Sequence, residues 1–318
     1  MTLFKILGKL NSMRFITLII FSSLIISCND SNHDNENHAL SERIDLGEIE
    51  NDDIQEASGI VASLTNDNVI WTHNDSGDSN RIFAMDTQGK HIGEYFLNDS
   101  QNRDWEDIAI GPGPEEGLHY LYVGDIGDNF SENDIKHIYR VIEPQLNSSS
   151  NFNSIQLDGI ESISFQYEDG NRDAETLIID PLTKDIIIIS KREATDVHIY
   201  SIPFPQDTDT ILTANLIMTK DFYPNDNFAT SQWIVGGDIS HDGKEILVKS
   251  YTDIFYFSRT SNQSFYDALN NEEIKFPYIT EPQGEAICWD ANISGYYTLS
   301  EEADDANQPS HLYFYQKD

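Results

Sequence analysis

The sequence contains few cysteines and few basic residues, and both shortages limit what the protein can be. Its 318 residues include two cysteines, Cys28 and Cys288, so no disulfide framework is possible if Cys28 is modified. Lysines and arginines number 19 against 55 aspartates and glutamates, a formal net charge of −36. A surface of this sign repels nucleic-acid phosphates, so we exclude nucleic acid as a partner. It suits a cation-binding protein, although solubility alone also explains much of the acidity.

Familiar catalytic motifs are missing as well. The sequence has no G-x-S-x-G elbow, no P-loop and no dinucleotide fingerprint. It has neither a cysteine pair nor an HExxH motif, which leaves little to bind zinc. Beyond the N-terminus no long amphipathic helix is indicated, and short strand-like runs bounded by Asn, Asp, Gly and Pro dominate. These features favour an all-β fold.

The N-terminus predicts export. An apolar run at 15–26 follows a basic segment and is too short for a comfortable membrane span. Ile25-Ile26-Ser27-Cys28 resembles a bacterial lipobox, which implies cleavage after Ser27 and a lipid on Cys28. We expect residues 1–27 to be a lipoprotein signal peptide that leaves the protein anchored to the bacterial cell envelope, on the periplasmic side or at the cell surface. The alternative is an ordinary secretory signal with an incidental cysteine.

Two further segments follow from composition. Residues 28–42 are polar and lack core-forming residues, which is typical of a flexible tether. Residues 43–318 carry the strand-like runs and are expected to form the folded domain. We expect the protein to be a monomer.

An acidic motif recurs along that domain. Residues 102–109 (NRDWEDIA) are repeated most closely at 171–177 (NRDAETL), and three weaker copies share an acidic residue that enters an apolar run. The repeated acids stand 50, 69, 63 and 47 residues apart, and they are Glu56, Glu106, Glu175, Asp238 and Glu285. Repeats of this length indicate one supersecondary unit per period, as in a propeller blade.

Strand counting supports that interpretation. Each repeat contains four strand-like runs except the last, which is one strand short, while residues 44–49 form a spare strand before the first repeat. Pairing the spare strand with the last repeat would close the ring and leave only short edges. The sequence therefore predicts a five-bladed β-propeller closed by its N-terminal strand. Alternatives are six blades, with one hidden in 130–172, or a sandwich or pair of domains.

The repeated acids predict a cation site. They begin the innermost strand of each blade, so we expect all five to ring the axis. Like charges raise the pKa of neighbouring carboxyls, and a bound divalent cation relieves the repulsion. Calcium suits such a ring because it accepts six to eight oxygen ligands in loose geometry. Alternatively, the acids cap turns or pair with Arg103 and Arg172.

Catalytic candidates come from the same face. The loops between the second and third strands contribute Asp75 and Asp125, each 19 residues after its repeated acid. Either could act as a general base, and Glu175 is a ring member whose loss should abolish turnover. Lys191 and Arg192 could bind an anionic group, or form a salt bridge to a ring acid.

The chain resembles a family of exported bacterial β-propellers to which no activity is assigned. The resemblance covers most of the folded part and rests on THNDSGD (72–78), RDWEDIA (103–109), VGDIGDN (123–129), RDAETL (172–177), GGDIS (236–240) and GEAI (284–287). More distantly, the acid in each blade is similar to that of calcium-activated nucleotidases, five-bladed propellers with an axial calcium, and to gluconolactonase-like and phytase-like propellers. None of their complete motifs is present, so no catalytic residue is transferred.

Three functions remain open at this stage. The first is a calcium-dependent hydrolase of an anionic small molecule such as a phosphate ester or lactone, in which the metal polarises the substrate or activates water. The second is a non-catalytic, calcium-stabilised binding or scaffold module of the envelope. The third is a glycoside hydrolase, since paired carboxylates at a propeller mouth can supply acid and base.

Overall fold

The computed structural model describes residues 43–146, 154–193, 195–302 and 309–317. The predicted signal peptide at 1–27, the lipidation site Cys28 and the tether at 28–42 lie outside the described residues. Within the described ranges, no helix is long and apolar enough to cross a membrane.

The regular structure is almost entirely β. The described chain contains one short α-helix, α1 (Phe265–Leu269), which Ser264 caps, and a 3-10 turn at Thr230–Gln232. Every strand expected from the sequence occurs, with ends displaced by a few residues. In chain order the strands are β1 (Ile44–Glu48), β2 (Ala57–Ala62), β3 (Val69–Asn74), β4 (Arg81–Asp86), β5 (His91–Leu97), β6 (Trp105–Pro112), β7 (His119–Asp125), β8 (Lys136–Ile142), β9 (Ile155–Leu157), β10 (Glu161–Tyr167), β11 (Ala174–Ile179), β12 (Ile186–Ser190), β13 (Asp196–Ile202), β14 (Leu212–Asp221), β15 (Ile234–Ile239), β16 (Glu245–Ser250), β17 (Ile254–Ser258), β18 (Ile274–Phe276), β19 (Ala286–Trp289), β20 (Gly295–Leu299) and β21 (His311–Gln316).

The strands form antiparallel groups of four. These groups are β2 to β5, then β6, β7, β8 and β10, then β11 to β14, then β15 to β18, and finally β19 to β21 completed by β1. The pairing of β1 with β21, in which Ile44 faces Phe314 and Glu48 faces His311, is the pairing that the spare N-terminal strand predicted. It joins the two ends of the domain through backbone hydrogen bonds.

The first strands of the groups lie together at the centre. Strand β2 contacts β6, β6 contacts β11, β11 contacts β15, β15 contacts β19, and β19 returns to β2. An apolar core layer fills each junction between neighbouring groups, including the junction of the last group with the first. This cyclic arrangement of antiparallel sheets is propeller-like.

A run of four isoleucines shows why these strands are so apolar. Ile186 and Ile188 of β12 pack into the core layer shared with the preceding group, whereas Ile187 and Ile189 pack into the layer shared with the following group. Side chains alternate between the two faces of a strand, and here both faces are covered. A strand of this kind reads as a continuous apolar run instead of an alternating one.

Two parallel pairings were not expected from the sequence. Strand β9 lies within 130–172, the range considered for a sixth blade, and pairs in parallel with β5. Strand β14 pairs in parallel with β10 and so joins two groups into one eight-stranded sheet. The described strands between 130 and 172 are β8, β9 and β10, and each extends one of these groups.

Candidate functional site

A β-bulge near the start of the central strands sets the direction of the acidic side chains. The register of β6 shifts at Glu106 and that of β11 shifts at Glu175. The same irregularity falls at Ser58 in β2 and at Val235 in β15. Since a bulge leaves one residue outside the regular pairing and re-aims its side chain, Glu106 and Glu175 turn into a common buried space.

Five carboxylates meet there. Oxygen atoms of Asp75, Asp104 and Glu106 lie within 4.8 Å of one another, and so do oxygen atoms of Glu106, Asp173 and Glu175. Glu106 belongs to both groups. We call these five residues the acidic cluster. Glu106, Asp173 and Glu175 are buried, whereas Asp75 and Asp104 are half-buried. The cluster therefore runs from the interior towards the surface.

Glu285 and a lysine adjoin the acidic cluster. The Nζ of Lys191 lies 2.5 Å from Glu175 Oε1 and 3.6 Å from Glu285 Oε1. The hydroxyl of Tyr251 donates a hydrogen bond of 2.5 Å to Glu285 Oε1. Ser58, the bulged residue of β2, donates to the backbone oxygen of Glu106 and lies 3.4 Å from Glu285 Oε2. Glu285 therefore meets Glu175 through the ammonium group of Lys191.

Burial and mutual repulsion disfavour ionisation of these acids. Burial raises the pKa of Glu106 well above its usual value, and the charges of Glu175 and Asp75 raise it further. Burial also raises the pKa of Glu175, although Lys191 opposes the effect. At the edge of the group, burial raises the pKa of Asp75 to about 7 and that of Glu301 to about 8. A cation among these oxygens would restore the ionised state.

Carboxylate oxygens of Glu175 and Glu106 lack hydrogen-bond donors. Glu175 Oε2 is buried and has no hydrogen-bond partner. Glu106 is 3% exposed, and among the described residues no N–H or O–H group donates a hydrogen bond to its carboxylate. Gly127 packs so closely here that a Cβ would fall 2.0 Å from Glu106 Oε1. Buried charge without a partner is costly, so these oxygens are the strongest indication of a ligand.

The donor set fits calcium. All candidate ligands are carboxylate oxygens, which hard cations prefer. Glu106, Glu175, Asp75, Asp104 and Asp173 would hold the ion. Lys191 already neutralises one carboxylate oxygen of Glu175, so it reduces the repulsion without supplying a donor to Oε2.

Glu56, predicted as a member of the ring, is not part of the acidic cluster. Glu56 is exposed, and its backbone oxygen accepts a bond from the loop that follows β3, as the backbone oxygens of Asp104 and Asp173 do from their own loops. Glu56 thus corresponds to Asp104 and Asp173, and the bulged residue of its strand is Ser58. The equal spacing of 19 residues, from Glu56 to Asp75 and from Glu106 to Asp125, suggested that Glu56 corresponds to Glu106. This correspondence fails because the hairpin of β6 and β7 is longer than that of β2 and β3.

Asp238 does not join the ring either. It lies three residues beyond the bulged Val235, near the opposite end of the central strand. Its Oδ1 accepts a hydrogen bond of 2.8 Å from the N–H of Ile239, and its Oδ2 accepts one of 2.8 Å from the N–H of Trp289. Burial raises the pKa of Asp238 to about 7. The residue links β15 to β19 instead of facing the acidic cluster.

Asp125 supports the cluster without belonging to it. Its Oδ1 accepts a hydrogen bond of 2.9 Å from the N–H of Asp104 and lies 3.5 Å from the guanidinium of Arg103. Arg103 therefore pairs with Asp125, and Arg172 pairs with Asp169 at 2.8 Å. Neither arginine forms an ion pair with a predicted ring acid among the described contacts.

Lys191 and Arg192 are both engaged with acids. Lys191 pairs with Glu175 and Glu285, and Arg192 pairs with Asp173. This arrangement is the salt-bridge alternative that the sequence left open. The Arg192 guanidinium nevertheless remains about one-third exposed and lies over the Trp233 ring at 4.8 Å.

Three residues at the site were not predicted from the sequence: Asp104 and Asp173 of the acidic cluster, and Tyr251, which donates to Glu285. Asp107, which follows Glu106, is buried and accepts hydrogen bonds of 2.9 Å from the N–H groups of Ile108 and Leu177, so it links β6 to β11 as Asp238 links β15 to β19. The D-x-E pattern at 104–106 and its copy at 173–175 were the signal available.

The larger cavities lie away from the acidic cluster. One of about 610 Å³ is lined by the turns that follow the five central strands, at the opposite end of those strands, and includes Asn66, His119 and His241. Another of about 660 Å³ lies between the first two groups, beside Leu118 and Glu143. Neither is lined by a carboxylate of the cluster. The acidic cluster is therefore separate from both of these cavities.

Of the comparisons with known proteins, only the comparison with solved structures gives matches. No protein-family model and no curated protein matches the sequence. Among solved structures, the chain is similar to the PQQ-bound form of aldose sugar dehydrogenase from Streptomyces coelicolor, with a TM-score of 0.46 and 8% sequence identity over 86% of this chain and 98% of that one.

Proposed function

We propose that the chain is an exported, lipid-anchored five-bladed propeller that binds a divalent cation, calcium first, in the acidic cluster. The blade count rests on five antiparallel groups whose first strands contact one another in a closed cycle. A sixth blade would need four further strands.

One observation carries the proposal that a cation is bound. Glu175 Oε2 is buried without a hydrogen-bond partner, and a carboxylate oxygen of Glu175 lies within 4.8 Å of oxygens of Glu106 and Asp173. Such an arrangement is destabilising unless the carboxyls are protonated or a cation lies between them. Calcium would supply charge neutralisation and, with water in its coordination sphere, a Lewis acid.

Thermal unfolding tests the proposal. Saturating calcium should raise the melting temperature of the EDTA-treated protein, because a ligand that binds only the folded state stabilises it. The Glu106→Gln variant should lose this response, whereas Glu56→Gln, which removes an exposed acid of the same face, should keep it. Identical melting temperatures in calcium and in EDTA for the unmodified protein would refute the cation site.

The membrane anchor is proposed separately and rests on the sequence of residues 1–28. Cys28 would carry the lipid, the membrane would be reached through that lipid alone, and the domain would act as a monomer. Labelled palmitate should enter the wild-type protein in a bacterial host and not the Cys28→Ser variant. Equal labelling of both would remove Cys28 as the site.

Hydrolysis of an anionic small molecule, such as a phosphate ester or lactone, is a second candidate function. It is supported by Arg192, whose guanidinium contacts Asp173 of the cluster yet reaches solvent. In this scheme Arg192 binds the anionic group, Asp173 holds Arg192 in position, and Asp75 at the exposed end accepts a proton.

Activity measurements separate the candidates. Turnover of a phosphate ester, lactone or glycoside that requires calcium and is lost in Glu175→Gln, with the fold retained, would favour an enzyme. Calcium stabilisation without turnover across these substrates would favour the binding or scaffold module.

A further inference from the structure

We infer that the acidic cluster binds two divalent cations that share the carboxylate of Glu106, an inference that rests on the proposed cation site. Glu106 is the common member of two groups of three carboxylates, each with its oxygens within 4.8 Å of one another. A carboxylate has two oxygens, so one residue can serve an ion on either side. Pairs of metal ions bridged in this way recur in proteins at separations of about 3.5–4 Å.

The two groups arise at different junctions. Asp75 follows β3 of the first group of strands, and it meets Asp104 and Glu106 at the start of β6. Asp173 and Glu175 belong to the start of β11 and meet Glu106 from the other side. The outer site of Asp75, Asp104 and Glu106 and the inner site of Glu106, Asp173 and Glu175 therefore do not compete for the same non-bridging ligands.

Charge supports two ions over one. Six carboxylates lie together when Glu285 is added to the acidic cluster, and the cations in contact with them are Lys191 and Arg192. If all six carboxylates are ionised, the two basic side chains leave an excess of four negative charges. Two divalent cations would neutralise this excess, whereas one would neutralise half of it. The nearby Arg103 and Lys136 are matched by Asp125 and Asp128.

The position of Lys191 explains why it does not replace an ion. Its ion pairs are with Glu175 Oε1 and Glu285 Oε1, and it forms none with Asp75 or Asp104 among the described contacts. Glu175 Oε2 remains without a partner. Within the described chain no lysine or arginine forms an ion pair with Asp75 or Asp104, so the outer site has no built-in counter-ion.

The two sites should differ in accessibility. The outer site contains half-buried Asp75 and Asp104, whereas all three carboxylates of the inner site are buried. We expect the outer ion to exchange quickly and the inner ion to resist removal by chelators.

Calcium stoichiometry tests the inference. The full chain, purified in detergent and stripped with EDTA, is titrated with calcium chloride by calorimetry, and bound metal is counted by mass spectrometry after dialysis. The expected ratio is two ions per chain in the wild type and in the Glu56→Gln control. Asp75→Asn should lose the outer ion and Glu175→Gln the inner one, which leaves one ion each. Glu106→Gln should weaken both sites by roughly tenfold or more, because affinity follows the charge of the ligands.

The outcomes distinguish this inference from the proposal beneath it. No bound calcium in a folded wild-type chain overturns both. One ion per chain overturns the inference and leaves the cation site. Two ions that persist in both Asp75→Asn and Glu175→Gln would assign the metals elsewhere and overturn the inference as well. Circular dichroism of each variant establishes that the chain is folded.

Discussion

The Nζ of Lys191 lies 2.5 Å from Oε1 of Glu175, while the second oxygen of the same carboxylate has no partner. One oxygen of the carboxylate is thus paired with a lysine of the protein, and the other is the oxygen that the proposed cation would bind. This division explains how several acids can be buried together in a chain of such high negative charge.

Removing Lys191 should make the fold depend on calcium. In Lys191→Met, Glu175 and Glu285 lose their counter-ion, and deletion of one partner of a buried pair costs about 3–5 kcal/mol. Urea unfolding in EDTA should reveal that loss, and calcium should recover more of it than it adds to the wild type. The matched variant Lys244→Met breaks a largely exposed pair with Asp242 and should leave the unfolding free energy almost unchanged, because solvent screens such a pair. Equal behaviour of the two variants would contradict the role assigned to Lys191.

Gly127 should be required for the cluster. In Gly127→Ala the new Cβ would fall 2.0 Å from Glu106 Oε1 and 2.5 Å from Asp104 Oδ2, so both carboxylates must move. We expect calcium affinity to fall, as measured by calorimetry. Gly77→Ala is the comparison, since Gly77 has a positive φ of 95° with no atom near the added Cβ. It should cost about 1 kcal/mol of stability and leave calcium affinity unchanged; a loss of affinity in both variants would point to a general backbone effect.

His73 should make the fold less stable in mild acid. Burial lowers its pKa to about 4, compared with 6.5 for a free histidine. Between these values the unfolded chain binds a proton that the folded chain does not, so stability falls as pH drops through this window and returns above it. The contribution of His73 to the free energy of unfolding should fall by about 2 kcal/mol as the pH drops from roughly 7 to 5.

The His73 effect can be isolated with a variant. His73→Phe should reduce the pH dependence of the unfolding free energy by that amount, and the imidazole signal of the wild type should remain that of the neutral form down to about pH 5. A titration of the His73 signal near pH 6.5 would contradict the account.

Asp238 should affect stability and not calcium. Its carboxylate joins the N–H groups of Ile239 and Trp289, and Asp238→Ala leaves those buried donors without an acceptor, at about 1–3 kcal/mol each. Calcium stoichiometry of this variant should equal that of the wild type. If this variant loses a calcium ion while its fold is intact, Asp238 belongs to the cation site after all.

Much of the architecture could be predicted from local patterns. Buried runs such as Ile186 to Ile189, bounded by turn residues, predicted strands, and the missing last strand predicted that residues near Ile44 would complete the final group. The parallel pairing of β9 with β5 could not be predicted, because three residues within a polar segment carry no periodic signal.

The convergence of acidic side chains was predicted, but its members were predicted only in part. Glu106, Glu175 and Glu285 come together as expected. Glu56 and Asp238 do not, because a bulge changes which residue of a strand faces the centre and leaves no mark in the spacing of acids. The two-residue step from Asp104 to Glu106, and from Asp173 to Glu175, becomes meaningful only once the register around each bulge is known.

The cation at the acidic cluster is tested most directly by anomalous scattering from a crystal of the protein grown with calcium. The account predicts anomalous difference density between the carboxylates of Glu106, Asp173 and Glu175, within about 2.3–2.6 Å of their oxygens. Density for calcium only at surface carboxylates, with Glu106 and Glu175 bound to each other or to Lys191 alone, would contradict it.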